Sequence, residues 1–331
     1  MSPRPRFNPV LGFTREGWTG NPLDDKGRYR NLDGASERGY SDLLRWQLQR
    51  NPLKAQKKGQ QPPITVTENR KLTHDREEGF TWLGHATYVF TIGGLHLITD
   101  PVFYDVAVVK RHTALPCSVT DLKGIDIILL SHNHRDHMDR RSLTELCTLN
   151  PNAIILTGLG IGALLRSWGI VNRVEEAGWF QSYTQESVLR ITYLPARHWN
   201  RRGLTDLNEM LWGSFLIEHE GMRTYFGADS GLGEHFQLIG ELYPGIGHAF
   251  IGIGAYQPEW FMHPSHTGPE DAVTAFEQLG ARQWVTMHHG TFDLSDEPIF
   301  HPWREMERLA EERSLHQLLR MDIGGKMPWN P

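Results

Sequence analysis

The tightest constraint in this chain is a run of four metal-competent side chains, His132, His134, Asp136 and His137, placed directly behind the apolar segment 125–130 and its terminal Ser131. A short run rich in isoleucine and leucine reads as a buried strand, so these four groups fall on a rigid strand-to-loop edge. Imidazole and carboxylate groups bury poorly without partners. A bound cation removes that cost. In extended chain, residues two apart point to the same side, so His132 and His134 can grip one ion together. The following turn can then swing Asp136 and His137 toward a second. Imidazole with carboxylate suits zinc, and also iron, nickel or manganese.

One loop does not complete a two-metal site, whose ligands converge from several strand ends. Three candidates each follow an apolar run: His198 after 191–194, Asp229 after 224–226 and His288 after 284–287. A carboxylate such as Asp229 can bridge two cations, which an imidazole cannot. His289 rivals His288, and spacing alone does not choose between them.

The remaining texture points to a layered α/β (α+β) fold, with helices covering sheets. Strands are expected at 80–83, 88–92, 95–99, 125–130, 153–157, 188–194, 213–219, 223–227, 249–253 and 284–287, and helices at 141–149, 161–168, 234–242, 269–279 and 302–313. Residues 1–75 are rich in Pro, Gly, Arg, Asn and Lys, with one helix over 37–50 for which Ser36 is a suitable cap. They read as an extension packed on a main domain spanning 76–331.

A net charge of −5 leaves no basic excess, so nucleic-acid binding has no electrostatic footprint. Only Cys117 and Cys147 are present, which fits a reducing compartment rather than a disulfide framework. No signal peptide is evident, and no apolar stretch approaches the roughly 20 residues that span a bilayer. The expected location is the cytoplasm, with peripheral membrane contact left open.

The histidine run has the H-x-H-x-D-H form of the metallo-β-lactamase superfamily. Trp82-Leu83-Gly84-His85-Ala86-Thr87 with Thr99-Asp100-Pro101 resembles that superfamily's opening strands. Phe226-Gly227-Ala228-Asp229-Ser230-Gly231, Gly254-Ala255-Tyr256, Trp260-Phe261-Met262 and Met287-His288-His289-Gly290-Thr291-Phe292 are similar to the N-acyl phosphatidylethanolamine-hydrolysing phospholipase D branch. The resemblance implies a four-layer αββα sandwich. It implies one ion on His132, His134 and His198, another on Asp136, His137 and His288, and Asp229 bridging them. It also favours His288 over His289.

The resemblance further implies a phosphodiesterase of phospholipase-D-like type, in which a hydroxide shared between two divalent ions attacks a lipid or small-molecule phosphodiester. Coordination lowers the pKa of water from about 15.7 toward about 7. Asp136 and Asp229 are the catalytic carboxylates of this reading. His266 aligns with a histidine that the branch places near the attacked phosphorus, and is the candidate for proton transfer. Asp100 and His85 are candidates to orient metal-bound imidazoles from behind. Among the nearby aromatic residues, Tyr256 and Trp260 are expected in the substrate pocket. One departure concerns substrate: where the branch tends to have Glu-Pro-Arg, this chain has Gln257-Pro258-Glu259. That reversal of charge would weaken a contact to an anionic head group, and it makes room for a lactonase or ester hydrolase resembling ascorbate-6-phosphate lactonase. From another class, a metal-binding regulator without turnover is the alternative.

Overall fold

The structure, a computed structural model, describes residues 4–34, 39–58, 64–74, 76–184 and 188–329. Its frame is two sheets of seven strands each among the described residues, in the orders β14-β1-β2-β3-β4-β5-β6 and β13-β12-β11-β10-β9-β8-β7. The first comprises β1 (Gly79–Gly84), β2 (Thr87–Ile92), β3 (Leu95–Thr99), β4 (Ile127–Leu130), β5 (Ile154–Gly158), β6 (Val174–Ala177) and the short β14 (Lys326–Met327). The second comprises β7 (Gln181–Ser182), β8 (Arg190–Leu194), β9 (Ser214–His219), β10 (Met222–Phe226), β11 (His248–Gly252), β12 (Gln283–Met287) and β13 (Leu318–Leu319). Both sheets are mixed: β1-β2-β3 and β8-β9-β10 are antiparallel, while β3-β4-β5-β6 and β10-β11-β12 are parallel.

Side chains alternate along the strands, and that alternation builds the layers. On β4, Ile127 and Leu129 turn inward to the space between the sheets, while Ile128 and Leu130 pack outward with Leu143 and Leu146. These leucines belong to α2 (Arg140–Leu149), whose first turn is fixed by Asp139 accepting from the Ser142 N–H at 2.8 Å; α3 (Ile161–Ser167) covers the same face. Between the sheets, Phe90 packs against Phe250 at 5.0 Å and Phe226 at 6.5 Å. The other outer face is covered by α4 (His235–Leu242), α6 (Pro269–Leu279) and α7 (His301–Glu312). On α6, Pro269 opens the helix, Gly280 closes it in the left-handed region, and Phe276 stacks on Trp284 of β12.

The expected layers and most elements are present, with ends shifted by a residue or two. The first helix, α1 (Tyr40–Leu48), is shorter than expected; Gly39 is its N-cap, and Ser36 lies outside the described residues. The strand β6 escapes a search for apolar runs because Glu175 and Glu176 occupy its centre. It is a sheet edge, where charged side chains are tolerated. A single turn, α5 (Glu259–Met262), follows the cis Gln257–Pro258 bond.

Before β1 the chain runs along the second sheet and up to the strand exits. Phe13 bridges to Gln181, Val66 to Ile323, and the Asn31 side chain pairs with both backbone groups of His198. The two sheets are also tied by the Tyr88 hydroxyl donating to the Thr286 carbonyl at 2.8 Å and the Tyr193 hydroxyl donating to the Ser131 carbonyl at 2.7 Å. The carboxyl ends of β1, β3, β4, β8, β10, β11 and β12 therefore meet along one edge. Close approach there depends on Gly254, where a Cβ would lie 2.0 Å from the His288 carbonyl oxygen. Gly254→Ala is expected to cost about 1–3 kcal/mol of stability by overpacking, seen as a lower denaturant midpoint at unchanged slope.

Candidate metal centre

Each candidate ligand leaves a strand at that shared edge. His85 follows β1, Asp100 follows β3, the run 132–137 follows β4, His198 follows β8, Asp229 follows β10 and His288 follows β12. Several exits adopt a left-handed backbone despite carrying side chains: His85 (φ 53°), Asp100 (35°), Ala228 (51°), Ala255 (62°) and His288 (61°). Such conformations cost of order 1–3 kcal/mol each and persist where the surroundings impose them. They aim side chains inward at the point where the strands stop.

Two groups of four donors result, each with its donor atoms within 4.8 Å of one another, His132, His134, His198 and Asp229, and His85, Asp136, His137 and His288; a third, of Asp229, His266 and His288, overlaps both. In the first, Nε2 of His132 and Nε2 of His198 each lie 3.0 Å from Nδ1 of His134. Asp229 joins the groups. Its Oδ2 lies 3.9 Å from His132 Nε2, 3.8 Å from His198 Nε2 and 3.1 Å from His137 Nε2, and its Oδ1 lies 3.1 Å from His288 Nε2. Asp136 Oδ2 lies 3.2 Å from His85 Nε2, 3.4 Å from His288 Nε2 and 3.6 Å from His137 Nε2.

The outer nitrogens fix the ring tautomers. Asp100 accepts from the Ser131 N–H at 2.8 Å, from the Ser131 hydroxyl at 2.6 Å and from His137 Nδ1–H at 2.8 Å. With its proton given to Asp100, the Ser131 oxygen accepts from His132 Nδ1–H at 2.9 Å; His198 Nδ1–H donates to the Ser265 carbonyl at 2.9 Å. Nε2 of His132 and His198 therefore carry lone pairs pointed into the centre, and Nε2 of His137 points there with a proton that a cation would replace. Lone pairs facing one another at 3.0 Å in a buried site repel, and a shared proton relieves only one contact at a time. The inward Nε2 of His137 and Nε2 of His288 are buried without a hydrogen-bond partner among the described residues. Nitrogen and carboxylate donors in this arrangement fit divalent cations.

Protonation follows the same division. Burial, with neighbouring imidazoles adding to it, holds His132 and His198 well below the ordinary histidine value; burial takes His134 down to about 4. Burial also opposes charge on His137 and His288, yet Asp229 and Asp136 together outweigh it, holding His137 well above its ordinary value with help from Asp100 and raising His288 to about 9. Against burial, His137 and His288 keep Asp136 and Asp229 ionised, with His85 adding to them at Asp136. The buried Asp229 and the half-buried Asp136 thus demand positive charge, which cations supply in place of protons.

The predicted residues divide clearly. His85, expected behind the ligands, offers its Nε2 inside the second group. His289 turns into the core, against Trp303 and Trp82, and its Nε2 pairs with the Thr286 hydroxyl, so geometry separates it from His288. His266 sits at the centre's edge, with Nδ1 3.8 Å from Asp229 Oδ2; burial lowers it to about 4.

The groups floor a cleft of about 290 Å³. Tyr256 and Trp260 are not among its walls. The Tyr256 hydroxyl pairs with His301 in a neighbouring cavity, which Glu259 also lines, and Trp260 lies beneath the Arg45 guanidinium at 4.6 Å. The aromatic walls are Trp46, Trp199 and Phe261. Trp46 comes from α1 and stacks on Phe261, a contact between distant segments that no local pattern signals.

Fold and donor set together are those of a metal-dependent hydrolase. The β-lactamase superfamily domain matches residues 96–289, and the chain belongs to that superfamily. It is 34% identical over 248 residues to N-acyl-phosphatidylethanolamine-hydrolyzing phospholipase D 1 of Caenorhabditis elegans, covering 70% of each chain. It is 35% identical over 241 residues to the mitochondrial N-acyl-phosphatidylethanolamine-hydrolyzing phospholipase D of Saccharomyces cerevisiae, covering 70% of this chain and 51% of that protein. In fold it is similar to a metallo hydrolase from Ignicoccus hospitalis, with a TM-score of 0.59 and 21% identity over 75% of this chain and 96% of that one.

Zinc titrated to about 100 times its dissociation constant is expected to stabilise the protein by about 2.7 kcal/mol, read as a rise in Tm. Asp100→Asn should move the titration midpoint to about 10–100-fold higher zinc. An unchanged midpoint would contradict the orienting role given to Asp100.

Proposed function

We propose that the protein is a two-metal phosphodiesterase of phospholipase-D-like type, acting on N-acyl phosphatidylethanolamine or a related lipid phosphodiester. The observation that carries this reading is Asp229, whose carboxylate touches both donor groups at the floor of a cleft with one apolar wall. The names of the worm and yeast relatives support the lipid substrate.

His132, His134 and His198 would hold one cation, Asp136, His137 and His288 the other, with Asp229 between them and zinc as the leading metal. Such a pair supplies a water ionised near neutral pH and a Lewis acid for the phosphoryl oxygens. The chain does the remainder. Asp100, through Ser131 and His137, holds the imidazoles in the tautomers that present lone pairs inward. Trp46 and Phe261 exclude water from one side and offer an apolar surface for an acyl chain. His266, beside Asp229 and in contact with the His198 ring, keeps a neutral imidazole near pH 7 and would relay a proton from the incoming water to the departing alkoxide.

Glu259 faces the adjacent cavity rather than this cleft, so its charge supplies no ground for preferring a lactone. Cys117 and Cys147 are unpaired thiols, and no helix among the described residues is long and apolar enough to cross a membrane; the thiols support the cytoplasm as the site of action.

Metal-loaded protein incubated with N-acyl phosphatidylethanolamine should release phosphatidic acid and N-acylethanolamine, detected by mass spectrometry. Asp136→Asn should lower the rate by about 100-fold or more. Intact lipid after incubation with fully metallated protein would sink the lipid reading.

A further inference from the structure

The loop between β3 and β4 returns to the functional edge and ties three strand exits together. The guanidinium of the half-buried Arg111 is given to backbone carbonyls: Nε–H donates to Thr113 at 2.8 Å, Nη1–H to Val102 at 2.9 Å and Nη2–H to Leu83. Leu83 stands two residues before His85, and Val102 two residues beyond Asp100. Gly84, at φ 104°, has no Cβ to stand 2.5 Å from Nη2. The backbone completes the tie to the exit of β12, for Arg111 bridges to Phe292 and the His112 N–H donates to the Thr291 carbonyl at 2.8 Å.

The Thr291 side chain carries the tie on to the ligands. Its hydroxyl oxygen accepts from the His85 N–H at 2.8 Å, while the His85 carbonyl accepts from the Trp82 indole at 3.0 Å and from the His288 N–H at 3.3 Å. With both backbone groups engaged, His85 is held in its left-handed conformation against His288, the ring centroids 4.1 Å apart. Both rings then meet Asp136 Oδ2, at 3.2 and 3.4 Å. Two of the four donors of the second group therefore hang on this tie.

The first group is anchored elsewhere. Ser131 and the Ser265 carbonyl hold the rings of His132 and His198, and Arg202 Nη1 clamps the loop after β4 through the carbonyls of Asn133 at 2.9 Å and Met138 at 2.8 Å. Asp100 has backbone anchors of its own: its N–H donates to the Leu129 carbonyl at 2.9 Å, and its carbonyl accepts from the Thr87 hydroxyl at 2.8 Å. We propose that Arg111 and Thr291 are positioning residues for the second cation, a tie that holds His85 and His288 in place and sets the metal affinity of the second donor group alone. This rests on the two-metal reading above. A lysine at 111 presents one compact ammonium on a flexible stem and cannot hold three carbonyls in fixed directions as the planar guanidinium does. A valine at 291 keeps the branched shape and leaves the buried His85 N–H without its acceptor.

Two half-centres of the full chain separate the groups. His134→Ala/His198→Ala disables the first, and Asp136→Ala/His288→Ala disables the second. Zinc Kd values come from competition with a chromophoric chelator. Arg111→Ala should raise the Kd of the second group by about 10–100-fold and leave that of the first unchanged. Arg111→Lys should give a smaller rise, and Thr291→Val a rise with the arginine in place; both give a readout even if the alanine variant fails to fold. An unchanged Kd at the second group would overturn the proposal. So would an equal rise at both groups, which would make Arg111 a general brace of the fold. The two-metal reading is judged separately, by zinc content of the wild type: a single ion per chain refutes that reading, while the half-centre Kd values still decide the tie. A second half-centre that takes up no zinc with Arg111 and Thr291 intact refutes both.

Discussion

Everything at the functional edge depends on two carboxylates, the buried Asp229 and the half-buried Asp136, set among imidazoles of which His132, His137 and His198 have their outer nitrogens committed. A carboxylate removed from water must be matched by positive charge at close range. Here Asp100 and the Ser265 carbonyl each take the outer proton of an imidazole, and Ser131 takes another, so that His132 and His198 turn lone pairs inward while the carboxylates hold a proton on His137. The strained exits at His85, Asp100 and His288 hold that arrangement against its own repulsion. Cations resolve the conflict, so the fold's least comfortable region is also its reactive one.

Much of this was legible in the sequence, and the reason is geometric. Ligands that leave adjacent strands at one edge must each follow an apolar run, so His132, His198 and Asp229 announce themselves by position alone, as does the pair His288 and His289. The contest between His288 and His289 had no such signal, because two neighbouring residues at a strand exit differ only in backbone twist. The left-handed φ of 61° at His288 settles it by turning one ring into the centre and leaving the other in the core. His85 was expected behind the ligands, and that its ring stands within the second donor group had no signal, since a positive φ at a histidine leaves no trace in composition.

The walls of the cleft were harder to read than its floor. Trp46 and Leu43 arrive from α1, far away in sequence, and Arg201 and Arg202 lie in a loop with no periodic pattern. Tyr256 and Trp260, which motif resemblance favoured, are outside the cleft: Tyr256 faces the neighbouring cavity and Trp260 packs under Arg45, while Phe261 and Met262 of the same turn line the cleft. Substrate choice therefore rests on contacts between distant segments, whereas the chemistry rests on local ones. That division explains why a superfamily can keep one centre and change what it cleaves.

A centre of two cations sharing Asp229 can be counted as metal content per chain after saturation with zinc and removal of excess, determined by inductively coupled plasma mass spectrometry on wild type and Asp229→Asn. Two ions per chain are expected in the wild type and fewer than two in the variant. A single ion in the wild type, or two retained without the Asp229 carboxylate, would contradict it.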